Sequence, residues 1–314
     1  EDLIHVMPAI EISPGYAHFN PMPATFDPQA PSGGTVPFGV RDESGTLLQR
    51  TFPEMLDVLR AEGFPVVQVN HPRSDSALFN SANYDPLTGP EGTRSDAFAP
   101  TFDQLEVFNE RNLFCEVFTD WLSLVARGYR ITGVGNSDSH SLNSEAGYPR
   151  TYFRVGPDAD SPDKLTDQDL IDAILAGDAS VSGGALITFP GFPDLGSTIV
   201  LEGPQLRLPV QIQTPEWSTV ERLQILVNGR VAADVAIDAP VRNIIAHDNI
   251  LEIEIPETDA YLVAVTWGTT RMSVVTPGEQ PFGFTNPIFL DLDGTPGWEP
   301  PGVSGPDDLV ALCN

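Results

Sequence analysis

The residues that could do chemistry in this sequence are its histidines, which number only five, and the acidic side chains near them. Such side chains follow three apolar runs that predict buried strands. They are Glu11 after 6–10, His71 after 66–70, and Asp138 and His140 after 131–134. Imidazole and carboxylate groups together suit zinc, manganese or iron, and strand ends carry the active sites of α/β barrels. The three strand ends therefore predict a metal site, although each alone is also compatible with a polar turn.

Arginines and asparagines flank the same positions. Arg73 and Arg150 could bind an anionic group through forked hydrogen bonds, or could instead pair with some of the 44 acidic residues. Asn70 and Asn136 could orient ligands or could only form turns. His247 lacks this context, and we expect it to lie in a surface loop.

The first half of the chain alternates between strand-like and helix-like runs. Thr51 caps a predicted helix that stops at Gly63, and Thr166 caps another that stops at Gly177. The apolar runs 66–69, 105–108 and 131–134 read as strands. This rhythm indicates an α/β fold with a parallel sheet or barrel over 1–180.

The pattern changes after residue 180, where apolar and polar residues alternate. Leu206, Leu208, Val210 and Ile212 show this period of two, and Asn228-Gly229 marks a hairpin turn. Short alternating strands predict an all-β, immunoglobulin-like sandwich over 181–290. The remainder, 291–314, is rich in acidic residues, proline and glycine, and we expect an irregular tail.

Composition excludes several classes of protein. The 314 residues carry a net charge of −28, which is incompatible with binding nucleic acid or an anionic membrane through charge. No apolar run is long enough to predict a membrane span. Two cysteines, Cys115 and Cys313, are too few for a disulfide scaffold. The acidic composition fits a salt-tolerant or exported protein and also fits a GC-rich genome. We expect an extracellular or periplasmic location.

Several stretches resemble motifs of the carbaryl-hydrolase-like metallohydrolases (CehA/McbA type) of the PHP superfamily. They are Val-Asn-His-Pro-Arg at 69–73, Gly-Asn-Ser-Asp-Ser-His at 135–140, Gly-Tyr-Pro-Arg-Thr at 147–151, Phe-Thr-Asn-Pro-Ile at 284–288 and Asp-Leu-Asp-Gly at 291–294. The resemblance covers nearly the whole chain. It implies a distorted (β/α)7 barrel that holds two or three divalent metal ions, here zinc, manganese or iron.

The resemblance also assigns ligands to these ions. It implies that Glu11 is a bridging carboxylate, that His18 and His71 are ligands, and that Asp138 and His140 close the set. The implied activity is hydrolysis of an ester, carbamate or phosphoester bond by a metal-activated water.

Specific roles can be given to three residues in that reaction. Asp138 would hold or deprotonate the water, and we predict it as a catalytic residue. We also predict Arg73 as a catalytic residue. Arg73 and Arg150 would bind the small-molecule substrate. Glu106 either faces this site or is a buried structural carboxylate.

The sequence departs from the superfamily at its start. The His-x-His motif of the first strand and the Asp-His after the second do not occur here. We therefore expect 1–180 to form only the C-terminal half of a barrel. Because half a barrel leaves strand edges and core exposed, we expect a second chain or a missing N-terminal segment to complete it. The alternative is a non-catalytic, exported binding or assembly protein with a relic metal barrel.

Asp291 and Asp293 are two residues apart and are followed by a glycine, as at the start of a calcium loop. Without later ligands in register, this spacing favours a plain turn, with a calcium site as the alternative.

Overall fold

A computed structural model describes residues 4–309 except 76, 95, 110–113, 143–144, 160, 239–243 and 277. Its α-helices are α1 Phe52–Ala61, α2 Leu78–Ala82, α3 Phe114–Ala126 and α4 Asp167–Ala176. Its strands are β1 His18–Met22, β2 Gly39–Arg41, β3 Leu47–Gln49, β4 Val66–Asn70, β5 Gln104–Phe108, β6 Thr132–Gly135, β7 Arg150–Phe153, β8 Ala179–Gly183, β9 Leu186–Thr188, β10 Thr198–Val200, β11 Gln205–Gln213, β12 Arg222–Val227, β13 Arg230–Ala236, β14 Ile245–Glu254, β15 Ala260–Trp267, β16 Phe282–Thr285 and β17 Ile288–Asp291. Short 3-10 helices lie at Pro31–Gly34, Gly89–Gly92, Pro157–Ala159 and Pro306–Leu309.

Two helices begin where their capping residues predict. Thr51 accepts the backbone N–H of Glu54, and the Glu54 carboxylate accepts the N–H of Thr51, which completes a capping box at α1. Thr166 and Asp169 form the same arrangement at α4. These N-terminal signals are therefore confirmed.

Four strands near the N-terminus form an open sheet in the order β1-β4-β5-β6. β4, β5 and β6 run parallel, whereas β1 is antiparallel to β4. β4 and β5 are buried along their whole length. On one side α3 covers the sheet, and the indole N–H of Trp121 donates to the carbonyl oxygen of Ile131 (2.8 Å).

The C-terminal half is built from two sheets that share one core. An eight-stranded sheet has the order β10-β17-β15-β16-β8-β7, with β12 and β13 attached beside β15. A three-stranded sheet has the order β14-β11-β9. The alternating apolar residues of β11 are buried against Leu223 and Ile225 of β12 and against β15. The predicted hairpin at Asn228-Gly229 joins β12 to β13 and is confirmed.

The predicted (β/α)7 barrel is wrong, because the structure is mostly β-sheet and the βα pattern stops after β6. β7 pairs antiparallel with β8, and β8 pairs antiparallel with β16 near the other end of the chain. The run 6–10 is not a strand: the described residues before β1 form only an isolated bridge at Ile12, and Val6 is 67% exposed. The prediction that another segment completes a barrel depended on that fold, and it stays untested.

A buried side chain joins the open sheet to the large one. Asn286 accepts the backbone N–H of Gly133 through Oδ1 (2.7 Å). Its Nδ2 donates to the carbonyl oxygens of Gly133 (2.8 Å) and Ala179 (3.0 Å). The amide thus fills the gap between β6 and β8, where a further strand would otherwise have to satisfy these backbone groups.

The predicted boundary near residue 180 lies inside β8, which pairs with β7 on one side and with β16 on the other.

The tail after β17 packs against β15 and α3. Trp298 donates its indole N–H to the carbonyl oxygen of Ala260 in β15, and the Gly302 N–H donates to the carbonyl oxygen of Ala126 at the end of α3. Among the described residues, none of the helices combines the length and the apolar character needed to cross a lipid bilayer.

Candidate functional site

The pairing of β1 with β4 brings three metal-type side chains together. His18 opens β1 and lies opposite Asn70, the last residue of β4, so that it is next to His71. Upstream, the backbones of Ile12 and Phe19 exchange two hydrogen bonds (2.8 and 2.9 Å). That bridge places Glu11 beside His18.

The three side chains converge closely enough to share one ion. One ligand atom each from Glu11, His18 and His71 lies within 4.8 Å of the others. Glu11 Oε1 is 2.6 Å from His18 Nδ1 and 3.6 Å from His71 Nε2. The contact between Glu11 Oε1 and His18 Nδ1 is short but is not aligned as a hydrogen bond. His18 Nδ1 is therefore buried without a hydrogen-bond partner. Two imidazoles and one carboxylate form a donor set that suits zinc, manganese or iron.

A serine orients the His71 ring. Nδ1 of His71 lies 2.8 Å from Ser74 Oγ, and that hydroxyl donates its hydrogen to the carbonyl oxygen of His71 (2.9 Å). A hydroxyl has one hydrogen to donate, so it must accept from Nδ1–H. The neutral ring therefore keeps a lone pair on Nε2, the atom that faces Glu11. Ligand histidines are commonly held through their other nitrogen in this way.

The cluster is electrostatically coupled. The pKa of the Glu11 carboxyl is lowered to about 2, chiefly by the His71 imidazole and also by His18, against burial, which raises it. The Glu11 carboxylate beside Nε2 in turn raises the pKa of His71, against burial, which lowers it. Glu11 is thus ionised at neutral pH and available as a ligand.

A cavity of about 260 Å³ opens beside the cluster at the carboxyl ends of β4, β5 and β6. Its lining includes Glu11, His71, Glu106, Asn136 and Asp138. Glu106 is buried, and burial raises its pKa. Its carboxylate accepts the backbone N–H of His71 (2.6 Å) and an amide N–H of Asn109 (3.0 Å). Glu106 therefore supports the backbone of a candidate ligand.

Two candidate residues have strained backbones. His71 has φ 25° and Asp138 has φ 43°, in the left-handed region that non-glycine residues rarely adopt. His71 directly follows the end of β4, and Asp138 lies shortly after the end of β6. Both residues line the cavity. Strain of this kind concentrates at functional sites, where the surrounding structure enforces it.

His140 lies outside the cluster. Its side chain is 81% exposed, and its Nδ1 is 3.8 Å from a carboxylate oxygen of Asp138. The structure therefore brings together Glu11, His18 and His71, with Asp138 in the same cavity, and leaves His140 at the surface. Its assignment as a ligand stays a prediction.

Arg73 is engaged by a buried acid. Its Nε and Nη2 bind the two carboxylate oxygens of Asp120 (2.7 and 2.8 Å), and Nη2 also donates to the carbonyl oxygen of Tyr84 (2.9 Å). Asp120 is 1% exposed, and burial raises its pKa to about 6. Arg73 is not among the residues that line the cavity at Glu11. The ion pair that we weighed as its alternative role is present, and its catalytic and substrate-binding roles stay predictions.

Replacing Arg73 with methionine should destabilise the fold by about 3–5 kcal/mol near pH 8, because it leaves the Asp120 carboxylate buried and unpaired. The folded-state pKa of Asp120 lies above its unfolded value, so protonation favours the folded state as the pH falls through about 6. The loss in Arg73→Met should therefore shrink at pH 5. Urea unfolding at both pH values measures it.

The exposed pair Arg222–Asp234 supplies the matched control. Arg222→Met should change the free energy of unfolding little at either pH, since the pair is solvated. An equal loss in Arg73→Met at pH 5 and pH 8 would contradict the assignment of the cost to the Asp120 charge.

Arg150 lies at the first position of β7 and lines a different cavity, which shares no lining residue with the one at Glu11.

The predicted calcium residues Asp291 and Asp293 lie close together. One carboxylate oxygen of each, and one of Asp259, lie within 4.8 Å of one another. The Asp259 carboxylate accepts the backbone N–H groups of Leu292 and Glu299. These bonds hold the turn by themselves, and calcium at this place stays a prediction.

Sequence reasoning did not single out three of these contributors. Asp259 has no local signal, because it is brought to Asp291 only by the pairing of β15 with β17. Asn286 lies 153 residues from Gly133. Ser74 lies only three residues after His71, so its contact with the imidazole could have been predicted from the sequence.

No model of a known protein family matches this chain, and no curated protein sequence matches it. Among solved structures, it is similar to the fibronectin(III)-like modules of Clostridium thermocellum CbhA. That similarity has 11% sequence identity and a TM-score of 0.21, and it covers 34% of this chain and 95% of the other. A likeness at this score carries no argument about function.

Proposed function

We propose that this protein is a metal-dependent hydrolase of ester, carbamate or phosphoester bonds. The observation that supports this most is the convergence of Glu11, His18 and His71, from separate parts of the chain, on one point. The motif resemblance to carbaryl-hydrolase-like metallohydrolases adds to the proposal, whereas the barrel is no part of it.

The donor set fits a divalent ion, which Glu11, His18 and His71 would hold. His18 Nδ1 has no hydrogen-bond partner to give up, and Ser74 already leaves Nε2 of His71 available. When bound, such an ion supplies Lewis acidity, which lowers the pKa of water and polarises a carbonyl or phosphoryl oxygen. Open coordination positions would be filled by water and substrate, and we keep a second chain or an upstream segment as a proposed source of further ligands.

The remaining side chains would bind and position the reactants. Asp138 faces the same cavity and would accept a proton from the attacking water. Asn136 and Glu106 line the cavity wall beside it. The cavity of about 260 Å³ accommodates a small substrate group.

The proposal includes an exported location. Cys115 is disulfide-bonded, while Cys313 lies outside the described residues. Disulfides persist in oxidising compartments, so this bond supports an extracellular or periplasmic site.

The test is a hydrolysis assay on the chelated full chain reloaded with zinc, manganese or iron. We expect metal-dependent release of a phenol from aryl esters or carbamates, or of phosphate from aryl phosphates, and the product separates the substrate classes. Glu11→Gln should lose this activity, because it removes the anionic ligand. Metal binding without turnover of any of these substrates would favour the non-catalytic binding protein instead.

A further inference from the structure

A second cavity, of about 530 Å³, lies where β7 and β8 meet the end of β11 and the turn that follows it. We refer to it as the Arg150 pocket. Its size falls within the usual range of small-molecule sites. The walls include Tyr148, Tyr152, Trp217 and Met272, so that most of the surface is aromatic or apolar.

The pocket carries a cation without a partner. Within the described part of the chain, Arg150 and Arg207 are the arginines whose side chains make no hydrogen bond, ion pair or ring contact. The other described arginines bind carboxylates, carbonyl oxygens or rings, for example Arg73, Arg154 and Arg222. Arg150 is exposed at the pocket and pairs with none of the described acidic side chains, so its guanidinium is available to an anionic ligand.

The walls of the pocket are held in place before any ligand arrives. Ser218, next to Trp217, donates its hydroxyl hydrogen to the carbonyl oxygen of Gly184 (2.8 Å), which ties the 214–217 turn to the end of β8. The backbone of Arg150 is fixed on β7, which pairs with β8. Trp217 and Tyr152 are 41% and 43% exposed, so their rings remain available for contact.

We infer that the Arg150 pocket binds a small aromatic monocarboxylate. The planar guanidinium matches a carboxylate through two parallel hydrogen bonds. The aromatic walls suit a flat apolar body, which would stack on them. Glu216 also lines the pocket and repels additional negative charge, so a monoanion fits better than a phosphate dianion.

This site is independent of the proposed metal centre, because the two cavities share no lining residue. Binding should therefore be the same in chelated protein and in protein reloaded with zinc. Failure of one proposal leaves the other standing.

Calorimetric titration of the chelated full chain with 2-naphthoate, 2-naphthamide and 2-naphthyl phosphate tests the inference. We expect 2-naphthoate to bind with a dissociation constant below about 1 mM. The neutral amide should bind at least about tenfold more weakly, because it cannot form the charged pair. The phosphate should also bind more weakly, because Glu216 opposes its second charge.

Three variants test the location of the site. Arg150→Gln should weaken 2-naphthoate binding by about tenfold, and Arg207→Gln, at an exposed arginine of β11, should leave it unchanged. Trp217→Ala should weaken binding of the acid and the amide alike. Arg150 is exposed and has no described partner, so circular dichroism should show a native fold. Failure of the acid to bind, equal binding of acid and amide, or an unaffected Arg150→Gln would overturn the inference.

Discussion

Replacing His71 with alanine is expected to abolish metal-dependent hydrolysis and to lower the affinity for zinc by at least about 100-fold. A structural reason underlies this size: Ser74 orients the imidazole, the backbone of His71 is strained, and Glu106 holds its N–H. Loss of an outer partner alone typically costs 10–100-fold in affinity, and a ligand itself costs more. Calorimetric titration of the chelated variant with zinc, together with the hydrolysis assay, measures both effects.

His247→Ala is the matched control, because His247 lies on β14, in a different sheet from the metal cluster. It should retain both metal affinity and activity. His140→Ala tests whether His140 is a ligand, as the motif resemblance implies. Because His140 is exposed and lies outside the cluster, we expect a much smaller loss of zinc affinity and activity than in His71→Ala. Full activity in His71→Ala, or its loss in His247→Ala, would show that the site has been assigned to the wrong residues.

Asn286→Ala is expected to destabilise the protein by about 3–5 kcal/mol, which is large for a single substitution. The substitution removes three buried hydrogen bonds that the amide makes to β6 and β8, and it leaves the N–H and the carbonyl oxygen of Gly133 without partners. The carbonyl oxygen of Ala179 keeps the backbone N–H of residue 286. An unsatisfied buried backbone group costs about 1–3 kcal/mol. The free energy of unfolding in urea, measured by circular dichroism, gives the loss directly.

Asn286→Asp tests the same bonds at nearly constant shape. It keeps an acceptor for Gly133 but replaces two amide donors with a carboxylate oxygen that faces carbonyl oxygens, so it should also be strongly destabilising near pH 8. Asn249→Ala, at an exposed position of β14, should change stability little. A loss of stability in Asn286→Ala no larger than that of Asn249→Ala would mean that the amide does not join the two sheets.

Local sequence signals predict individual elements well in this chain, because their causes are local. Thr51 and Thr166 mark helix starts through hydrogen bonds to residues three positions away. The apolar runs of β4 and β6 are strands, and since these strands are parallel, His71 and Asp138 line the same cavity.

The sequence does not reveal how the elements pair. Glu11 reaches His71 through the Ile12–Phe19 bridge and the antiparallel β1, rather than from the end of a strand over 6–10. The barrel prediction extended the βα rhythm past β6, where β7 and β8 instead join strands from the C-terminal half. Arg73 likewise finds Asp120 across 47 residues, a pairing that no spacing rule indicates.

The most direct test of the account is anomalous diffraction from crystals of the full chain grown with zinc. We expect a zinc ion within about 2.0–2.2 Å of one oxygen of Glu11 and one nitrogen each of His18 and His71. Crystals that contain no ordered zinc at this position, or that hold it elsewhere while the three side chains stay unliganded, would contradict the metal centre and the hydrolase proposal with it.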